Sequence, residues 1–187
     1  MNHSNDLTDQ YLLATPSIRD PLFASSVVYM CEHNEHGSMG VVINHASDQT
    51  LKDVFEQLDI DCEHPDIMAD NILIGGPVKL QQGFVLHDSD AGWDNSLKVG
   101  DSCYLTSSRD ILEAIARRQG PTNYLVLLGY AGWAAGQLER EMQENSWLTA
   151  AASPGITFHP DTDRKWQIAF DSLGFSLDHL SPTTGNA

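Results

Sequence analysis

Basic residues are scarce in this chain. It contains 10 Lys and Arg residues against 26 Asp and Glu residues, which gives a formal net charge of −16. A protein with this charge repels DNA, RNA and anionic membranes unless its few basic groups cluster. The adjacent pair Arg117-Arg118 falls late on a predicted helix. Two interpretations of this pair are open: a favourable interaction with the helix dipole, or a phosphate-binding patch. We expect no direct binding to nucleic acid and no binding to membranes.

Cysteine is also rare, and the chain has three: Cys31, Cys62 and Cys103. An odd and low number predicts free thiols in a reducing compartment rather than a disulfide framework, and therefore a cytoplasmic protein. There is no CxxC pair, so the signatures of zinc sites and of thioredoxin-like sites are missing. We expect no metal and no cofactor.

Long apolar runs are missing as well. The run from Tyr124 to Ala135 contains two glycines, and it is shorter than the roughly 20 residues that a membrane-spanning helix needs. Residues 1–10 are polar and do not have the pattern of a signal peptide. A chain of 187 residues, 41% of them hydrophobic, can bury one sizeable core. We predict a single domain over residues 1–187, with mobile tails at 1–9 and 181–187.

Hydrophobic periodicity predicts a mixture of strands and helices. Helices are expected near 51–58, 111–116 and 137–142, with a last helix that carries Trp166, Ala169, Phe170 and Leu173 on one stripe. Strands are expected at 11–15, 72–74, 83–87, 102–106, 124–128 and 156–159. The segments 59–71 and 88–100 are predicted to be loops, 20–23 a brief helical turn, and the glycine-rich segment 129–136 a bend. The mixture predicts an α+β fold.

The segment 27–44 is predicted to form an antiparallel hairpin. Asn34 and Gly37 provide turn chemistry, and β-branched residues flank them on both sides. A loop centred between Glu35 and His36 pairs the segments 27–33 and 38–44.

This register assigns faces to the most reactive residues of the hairpin. It places Cys31 opposite Gly40 and Glu32 opposite Met39. Because strand side chains alternate, Cys31 and His33 are predicted to share one face while Glu32 points to the other. We therefore do not expect the Cys-Glu-His string to act as a relay of three successive residues.

Two interpretations of Cys31 and His33 stay open. In the first, Cys31 is a small buried apolar residue and His33 is a solvated residue at the strand end. In the second, Gly40 leaves the thiol uncovered and a protonated His33 depresses the thiol pKa, which makes the thiol reactive. A metal site of Cys31, His33 and His36 has suitable atom types but lacks a fourth ligand with diagnostic spacing.

Several blocks in a fixed order cover nearly the whole chain: PSIRDPLFASSVVYMCEHNEHGSMGVVIN, IGGPV followed by GFVLH, TSSRDILEAI, LGYAGWAAGQLEREMQENSWL and the terminal GNA. Together they resemble the AlgH/YqgE family of bacterial proteins. The resemblance implies a single cytosolic α+β domain, with a bifurcated, mostly antiparallel sheet folded into a pseudo-barrel and several outer helices. It also implies a transcriptional regulator. The chain departs from the family pattern at Asn186, where the family has His, and at His45-Ala46, where it has a basic residue and Pro.

The resemblance also implies which polar and aromatic residues to examine. The candidate catalytic residues are Cys31, His33, His87 and Arg109. His87, at a predicted strand end, is either a satisfied edge histidine or part of a pocket. The candidate functional surface consists of Glu32, Asn34, Asn44, Ser108, Asp110, Tyr130, Trp133, Gln137 and Glu139. Trp133 also has a packing interpretation, and Ser108 with Asp110 can stabilise a helix N-terminus.

The leading hypothesis from the sequence is a cytoplasmic regulatory protein that binds an unidentified protein partner without catalytic turnover. It follows from the acidic charge, the resemblance and the lack of a recognisable catalytic motif. The alternative is a thiol-based redox sensor or enzyme that uses Cys31 with His33, assisted by His87 or Arg109 if the fold brings them together. No particular small-molecule ligand is indicated. A shared concave pocket for these four residues would favour the alternative.

Overall fold

The computed structural model describes residues 6–90 and 92–174. The strands in these ranges, β1 to β10, are Gln10–Ala14, Val27–Asn34, Gly37–Val42, Ala46–Thr50, Asn71–Ile74, Val78–His87, Ser96–Lys98, Tyr104–Thr106, Tyr124–Ala134 and Trp147–Ala151. The helices, α1 to α6, are Leu51–Gln57, Pro65–Met68, Arg109–Ala116, Gln137–Gln143, Pro154–Thr157 and Lys165–Asp171. A 3₁₀ turn at Thr162–Arg164 precedes α6. Residues 1–5 and the predicted tail 181–187, with Asn186, lie outside the described ranges.

Local sequence signals account for the longer helices. At the start of α1, the Asp53 carboxylate accepts the backbone N–H of Thr50 at 2.9 Å, and Leu51 and Phe55 are buried one turn apart. The apolar spacing of α3 likewise turns Ile111 inward. Both helices lie where their apolar spacing predicts them. None of the helices in the described ranges is long and apolar enough to cross a bilayer.

The strands form one curled, mostly antiparallel sheet in the order β10-β1-β2-β3-β9-β6-β8-β7. On one side of β9, Leu127 and Leu128 pair in parallel with β5, whereas residues 131–134 pair with β3. β4 then pairs with β5, so the sheet divides at β9 into two branches. The predicted α+β fold of one domain, with a bifurcated sheet and outer helices, is confirmed, and the curl of the sheet is a half-barrel.

Glycines permit the close approach of chains where the sheet divides. The backbone N–H of Gly75 donates to the Leu128 carbonyl, and the Gly75 carbonyl accepts from Val42, each at 2.8 Å. A Cβ at Gly75 would lie 2.4 Å from the carbonyl oxygen of Gly129, which has a φ of +74°. The glycines before β6 therefore have a packing role, because no larger residue fits between these strands.

Helices cover both faces of the sheet. On the concave face, Ala169 and Phe170 of α6 pack on β1 and β2. Leu138 of α4 packs with the tryptophans of β9 and β10 on the other face. Phe55 of α1 and Ile111 of α3 cover the branch that contains β5 and β6.

One cation lies inside the core. The side chain of Lys165, at the start of α6, is 0% exposed, and its Nζ donates to the carbonyl of Ile43 at 2.8 Å. No carboxylate in the described ranges forms an ion pair with it. Burial lowers the pKa of Lys165 to about 8, because the ammonium loses most of its hydration.

Four elements differ from the predictions. β9 continues through the glycine-rich segment to Ala134, because β3 pairs with it beyond the irregularity at Gly129. The first two residues of the predicted strand 156–159 instead form the end of the helix α5, which begins with Pro154 at its first position. The helix α2 and the strand β7 occur inside segments predicted to be loops. Residues 20–23 form the predicted brief helical turn, since the N–H of Ala24 donates to the Asp20 carbonyl at 2.7 Å.

Residues 6–9 pack against the hairpin, although they were predicted to be part of a mobile tail. Leu7 is buried, and its backbone N–H donates to the His33 ring at 3.1 Å. The N–H of Asp9 donates to the Met30 carbonyl at 2.9 Å. These contacts extend the ordered chain to the N-terminal side of β1.

Candidate functional site

The tip of the β2–β3 hairpin has the predicted register, but β2 contains a bulge. Glu32 pairs with Met39 as predicted, whereas the next pair towards the open end is Met30 with Gly40. Cys31 is the extra residue between these two pairs. The prediction that Cys31 faces Gly40 is therefore wrong.

The bulge reverses the predicted faces. Cys31 packs in the cluster that also contains Met39, and paired residues project to the same side, so Glu32 lies on the face of Cys31. His33 lies on the other face, where it contacts Leu7. The predicted pairing of Cys31 with His33 is therefore wrong, because the two side chains project from opposite sides of the sheet.

Cys31 has the environment of a structural cysteine. Its side chain is 3% exposed, and its thiol donates to the Tyr29 carbonyl at 3.6 Å. Burial, and to a smaller degree Cys103 and Glu32, raise the pKa of the Cys31 thiol well above its ordinary value. A thiol without an appreciable thiolate fraction is a poor nucleophile at neutral pH, so this geometry does not favour the redox alternative.

His33 connects three parts of the chain. Its Nδ1 accepts the backbone N–H of Leu7, so the ring carries its hydrogen on Nε2, which donates to the Glu139 carboxylate of α4 at 2.8 Å. This hydrogen bond lowers the pKa of Glu139. His33 therefore holds the N-terminal segment and α4 against the hairpin.

His87 is buried in a directed chain of hydrogen bonds. Its Nδ1 accepts the N–H of Ser89 at 3.3 Å, and its Nε2 donates to the Thr106 hydroxyl at 2.6 Å. Thr106 donates onward to Ser96, whose hydroxyl donates to the carbonyl of Trp93. Because Nε2 carries the hydrogen, His87 cannot remove a proton from Thr106, and the arrangement is not that of a nucleophile with its base. Burial lowers the pKa of His87, which keeps the ring neutral.

Arg109, Ser108 and Asp110 lie together at the start of α3. The Arg109 Nε donates to Glu113 at 2.7 Å within the helix. The Ser108 hydroxyl donates to the Asp110 carboxylate, which also accepts the backbone N–H of Asp94 at 2.9 Å. These contacts attach the preceding loop to the helix. Cys31, His33, His87 and Arg109 therefore do not share a pocket.

Asn44 has a structural role at the open end of the hairpin. Its Oδ1 accepts the backbone N–H of Val27, and its Nδ2 donates to the Ser25 carbonyl, each at 2.8 Å. The side chain thus replaces a ladder hydrogen bond where the two strands separate.

Four residues of the predicted surface do meet. A groove of about 550 Å³, which we call the hairpin-tip groove, lies between the tip of the hairpin, the second half of β9 and the start of β6. It is lined by Glu32, Asn34, His36, Gly37, Ser38, Met39, Val78, Tyr130, Gly132 and Trp133. Glu32, Asn34, Tyr130 and Trp133 come from the predicted set. Gln137 and Glu139 lie nearby on α4, and Asn44, Ser108 and Asp110 lie elsewhere.

The groove combines an apolar floor with polar groups at its rim. Met39 and Val78 are half-buried, and the half-buried ring of Tyr130 packs edge-on against Phe84 with centroids 6.1 Å apart. Within the described ranges, the Tyr130 hydroxyl has no hydrogen bond and no cation pairs with the exposed Glu32. Both polar groups are therefore available to a ligand.

Asn34 shapes the rim. Its Nδ2 donates to the Glu32 carboxylate and its Oδ1 accepts the backbone N–H of His36, each at 2.8 Å. This local turn fixes the direction of the Glu32 side chain over the groove. His36 itself is a solvent-exposed residue of the turn.

A carboxylate that the sequence did not single out supports this end of the molecule. Glu141 of α4 accepts the indole N–H of Trp133 at 2.9 Å, the indole N–H of Trp147 at 2.8 Å and the Gln137 amide at 3.0 Å. The two indole rings pack edge to face, 5.9 Å apart, with Phe23 against both. Trp133 and Gln137 are therefore held in place by Glu141, and they form the support of the groove.

Replacing Glu141 with leucine is expected to lower the free energy of unfolding by about 3 kcal/mol. The change leaves two buried indole N–H groups without an acceptor, each at a cost of about 1–3 kcal/mol. Urea denaturation followed by tryptophan fluorescence measures the effect. The matched control is Glu144→Leu on the same helix end, which is exposed and makes no side-chain hydrogen bond in the described ranges, and is expected to change stability by about 0.5 kcal/mol or less. Equal effects of the two changes would contradict the role of Glu141.

Six lining residues of the groove were not in the predicted set: His36, Gly37, Ser38, Met39, Val78 and Gly132. Met39, Val78 and Gly132 belong to strands that meet only through the fold, so no local spacing connects them. The pairing of Met39 with Glu32 was a usable signal, because it places an apolar side chain beside an exposed carboxylate on one face.

Comparison with known proteins gives a consistent result. A family model described as AlgH-like matches residues 11–178. A UPF0301 protein of Stenotrophomonas maltophilia strain K279a is 48% identical over 180 residues, which are 96% of each chain. A UPF0301 protein of Thioalkalivibrio sulfidiphilus is 48% identical over 189 residues, with 100% of each chain covered.

Two solved structures have the same fold. The solution structure of the AlgH protein from Pseudomonas aeruginosa superposes with a TM-score of 0.81 and 40% sequence identity, covering 100% of this chain and 99% of that one. The crystal structure of a Corynebacterium diphtheriae protein superposes with a TM-score of 0.74, covering 97% of this chain and 94% of that one. At 24% identity, the second structure shows similarity of fold alone.

Proposed function

The chain belongs to the AlgH-like family, for which a fold but no biochemical function is established, and we propose that it is a cytoplasmic, non-catalytic regulatory protein that binds a protein partner in the hairpin-tip groove. The observation that carries the proposal is that three features meet in one groove: an apolar floor, the Glu32 carboxylate, which has no cation partner in the described ranges, and the Tyr130 hydroxyl, which has no hydrogen bond there. The partner presents an apolar side chain to Met39 and Val78, with a neighbouring Lys or Arg that pairs with Glu32.

The character of the candidate catalytic residues supports binding rather than turnover. His87 and His33 are fixed by hydrogen bonds at both ring nitrogens. Arg109 is paired with Glu113, and the Cys31 thiol is buried. Catalysis needs a nucleophile or base within reach of a substrate and a partner that activates it. The hairpin-tip groove instead has the mixed apolar and polar lining that protein ligands use.

Charge supports a basic partner. The net charge of −16 attracts a basic protein surface and raises its association rate, while it repels nucleic acid. The basic residues do not support a nucleic-acid-binding patch either, since Arg118 pairs with Asp66 and Arg109 with Glu113. A regulatory effect on transcription is therefore proposed to act through a protein and not through direct contact with DNA.

Affinity capture with matched variants tests the proposal. The full-length protein, Glu32→Lys, Tyr130→Ala and the control Asp101→Lys are used as baits, and the captured proteins are quantified by mass spectrometry. Asp101 is exposed and does not line the groove, and Asp101→Lys changes the net charge by the same amount as Glu32→Lys. We expect the partner to be recovered equally by the wild type and Asp101→Lys, and at least about ten-fold less by the two groove variants, since central interface residues carry most of the binding energy. Equal recovery by all four baits would refute the groove as the binding site.

A further inference from the structure

A second interaction surface lies at the edge of the sheet. β10 stands at one end of the strand order, and within the described ranges it pairs with β1. The strand has the sequence Trp-Leu-Thr-Ala-Ala, with no charged residue and no proline. Natural sheets protect exposed edges with charges, proline, bulges or a covering segment, because unpaired edges bind other strands.

The hydrogen-bonding phase of β10 is fixed by its neighbour. The backbone N–H of Thr15 donates to the Ser146 carbonyl at 3.0 Å, and these residues continue the register of β1 with β10. Hydrogen-bonded pairs recur at every second residue of an antiparallel ladder. Leu148 and Ala150 therefore direct their backbone groups towards β1, and Trp147, Thr149 and Ala151 direct theirs outwards.

These outward groups are unused. Among residues 6–90 and 92–174, no hydrogen bond involves the backbone N–H or C=O groups of Trp147, Thr149 or Ala151 on that side. Thr149 and Ala151 have short side chains, which leave room for an incoming backbone. A strand placed alongside β10 would thus form a regular ladder without any rearrangement of the sheet.

We propose that the outer edge of β10 pairs with an extended segment of a partner protein that is uncharged over about five residues and is flanked by Lys or Arg. Charge decides between the possible occupants. A second copy of the chain brings its own net charge of −16 and is repelled, whereas a basic segment is attracted, also by the exposed Glu144 that precedes the strand. This edge goes beyond the hairpin-tip groove, because it is separated from β3 by β1 and β2 and uses backbone groups rather than side chains.

Peptide selection on the full chain tests this edge. Random peptides of about twelve residues, long enough to span the strand and its flanks, are displayed and selected on the protein. The selected peptides are then measured against Thr149→Pro and the control Thr149→Ala. Proline removes the outward N–H but no ladder hydrogen bond to β1, whereas alanine retains the N–H. Ala151→Pro with the control Ala151→Ser serves as the second pair if Thr149→Pro does not fold.

We expect the selected peptides to contain a short uncharged run with basic flanks, and to bind the proline variant at least about ten-fold more weakly than the wild type while the alanine variant stays within about three-fold. Hydrogen exchange of the Trp147, Thr149 and Ala151 amides should slow when peptide is added. Equal binding by the proline variant, or a selection that enriches no peptide, would overturn the proposal. Amide protection that rises with protein concentration and without peptide would overturn it too, because it would identify a second copy as the occupant.

Discussion

Replacing Gly76 with alanine is expected to lower the free energy of unfolding by more than about 4 kcal/mol, a large fraction of the roughly 5–15 kcal/mol that is typical of folded proteins. Gly76 has a φ of +152°, which residues with a Cβ rarely adopt. A Cβ at this position would lie 2.1 Å from the carbonyl carbon and 2.2 Å from the carbonyl oxygen of Tyr130. The contacting atoms belong to the backbone of β9, so relief requires the two branches of the sheet to separate.

Gly83 provides the matched control in the same strand region. A Cβ at Gly83 meets no atom within 4 Å, and its φ lies outside the positive range. Gly83→Ala is expected to leave stability unchanged or to raise it by up to about 1 kcal/mol, because alanine restricts the unfolded chain. Both variants are measured by urea denaturation. If the free energy of unfolding of Gly76→Ala lay within about 1 kcal/mol of that of the wild type, the backbone at Gly76 would not approach the backbone of Tyr130 as closely as described.

The buried Lys165 is expected to make stability rise between about pH 8 and pH 10.5. The folded pKa is about 8 and the ordinary value is 10.5, so the unfolded chain binds more protons in this interval. Below pH 8 both states are protonated and the full cost of the buried ammonium is present. That cost disappears as the pH rises through the interval. At about 1.4 kcal/mol per pH unit, the gain is about 3 kcal/mol.

The variant Lys165→Met isolates this effect. The variant has no amine at this position to titrate. It also loses the hydrogen bond to the Ile43 carbonyl, and this loss shifts the free energy of unfolding by an amount that does not depend on pH. The free energy of unfolding of both proteins is measured in urea from pH 7 to pH 10.5, and the difference is taken at each pH. The wild type should gain about 3 kcal/mol relative to the variant over this range. A constant difference would mean that the amine is hydrated or paired with an anion in solution.

Where one local signal decided a structure, the sequence was sufficient. Hydrophobic periodicity predicted α1 near 51–58, and the Asn34–Gly37 turn predicted the register at the hairpin tip. The apolar spacing of α3 and α6 predicted which of their faces are buried. The resemblance of the sequence blocks supplied the branching of the sheet, which no local pattern encodes.

The bulge at Cys31 could not be predicted for a physical reason. The residues before it, 27–30, are all apolar and all buried, because both faces of β2 are covered. Register is specified by alternation of apolar and polar residues, and a strand buried on both faces has none. A shift by one residue was therefore invisible in the sequence, and it reversed the predicted relation of Cys31 to His33 and Glu32.

The glycines of β9 were misleading for a similar reason. The glycines of β9 indicated a bend, but the strand continues to Ala134, and Gly129 permits the close approach of Gly76 and Val78. No local pattern marks Lys165 as buried, because its burial depends on how α6 lies across β1 and β2. The groove arose in the same way, from strands that are distant in sequence.

Site-specific photo-crosslinking tests most directly whether the hairpin-tip groove binds a protein partner. A photoreactive phenylalanine analogue replaces Met39 in the groove and, in a separate protein, Asp101 outside it. We expect the probe at position 39 to crosslink one protein at a segment with an apolar residue beside Lys or Arg, and we expect adding Glu32→Lys to abolish this product. The same products from both positions, or none from position 39, would contradict it.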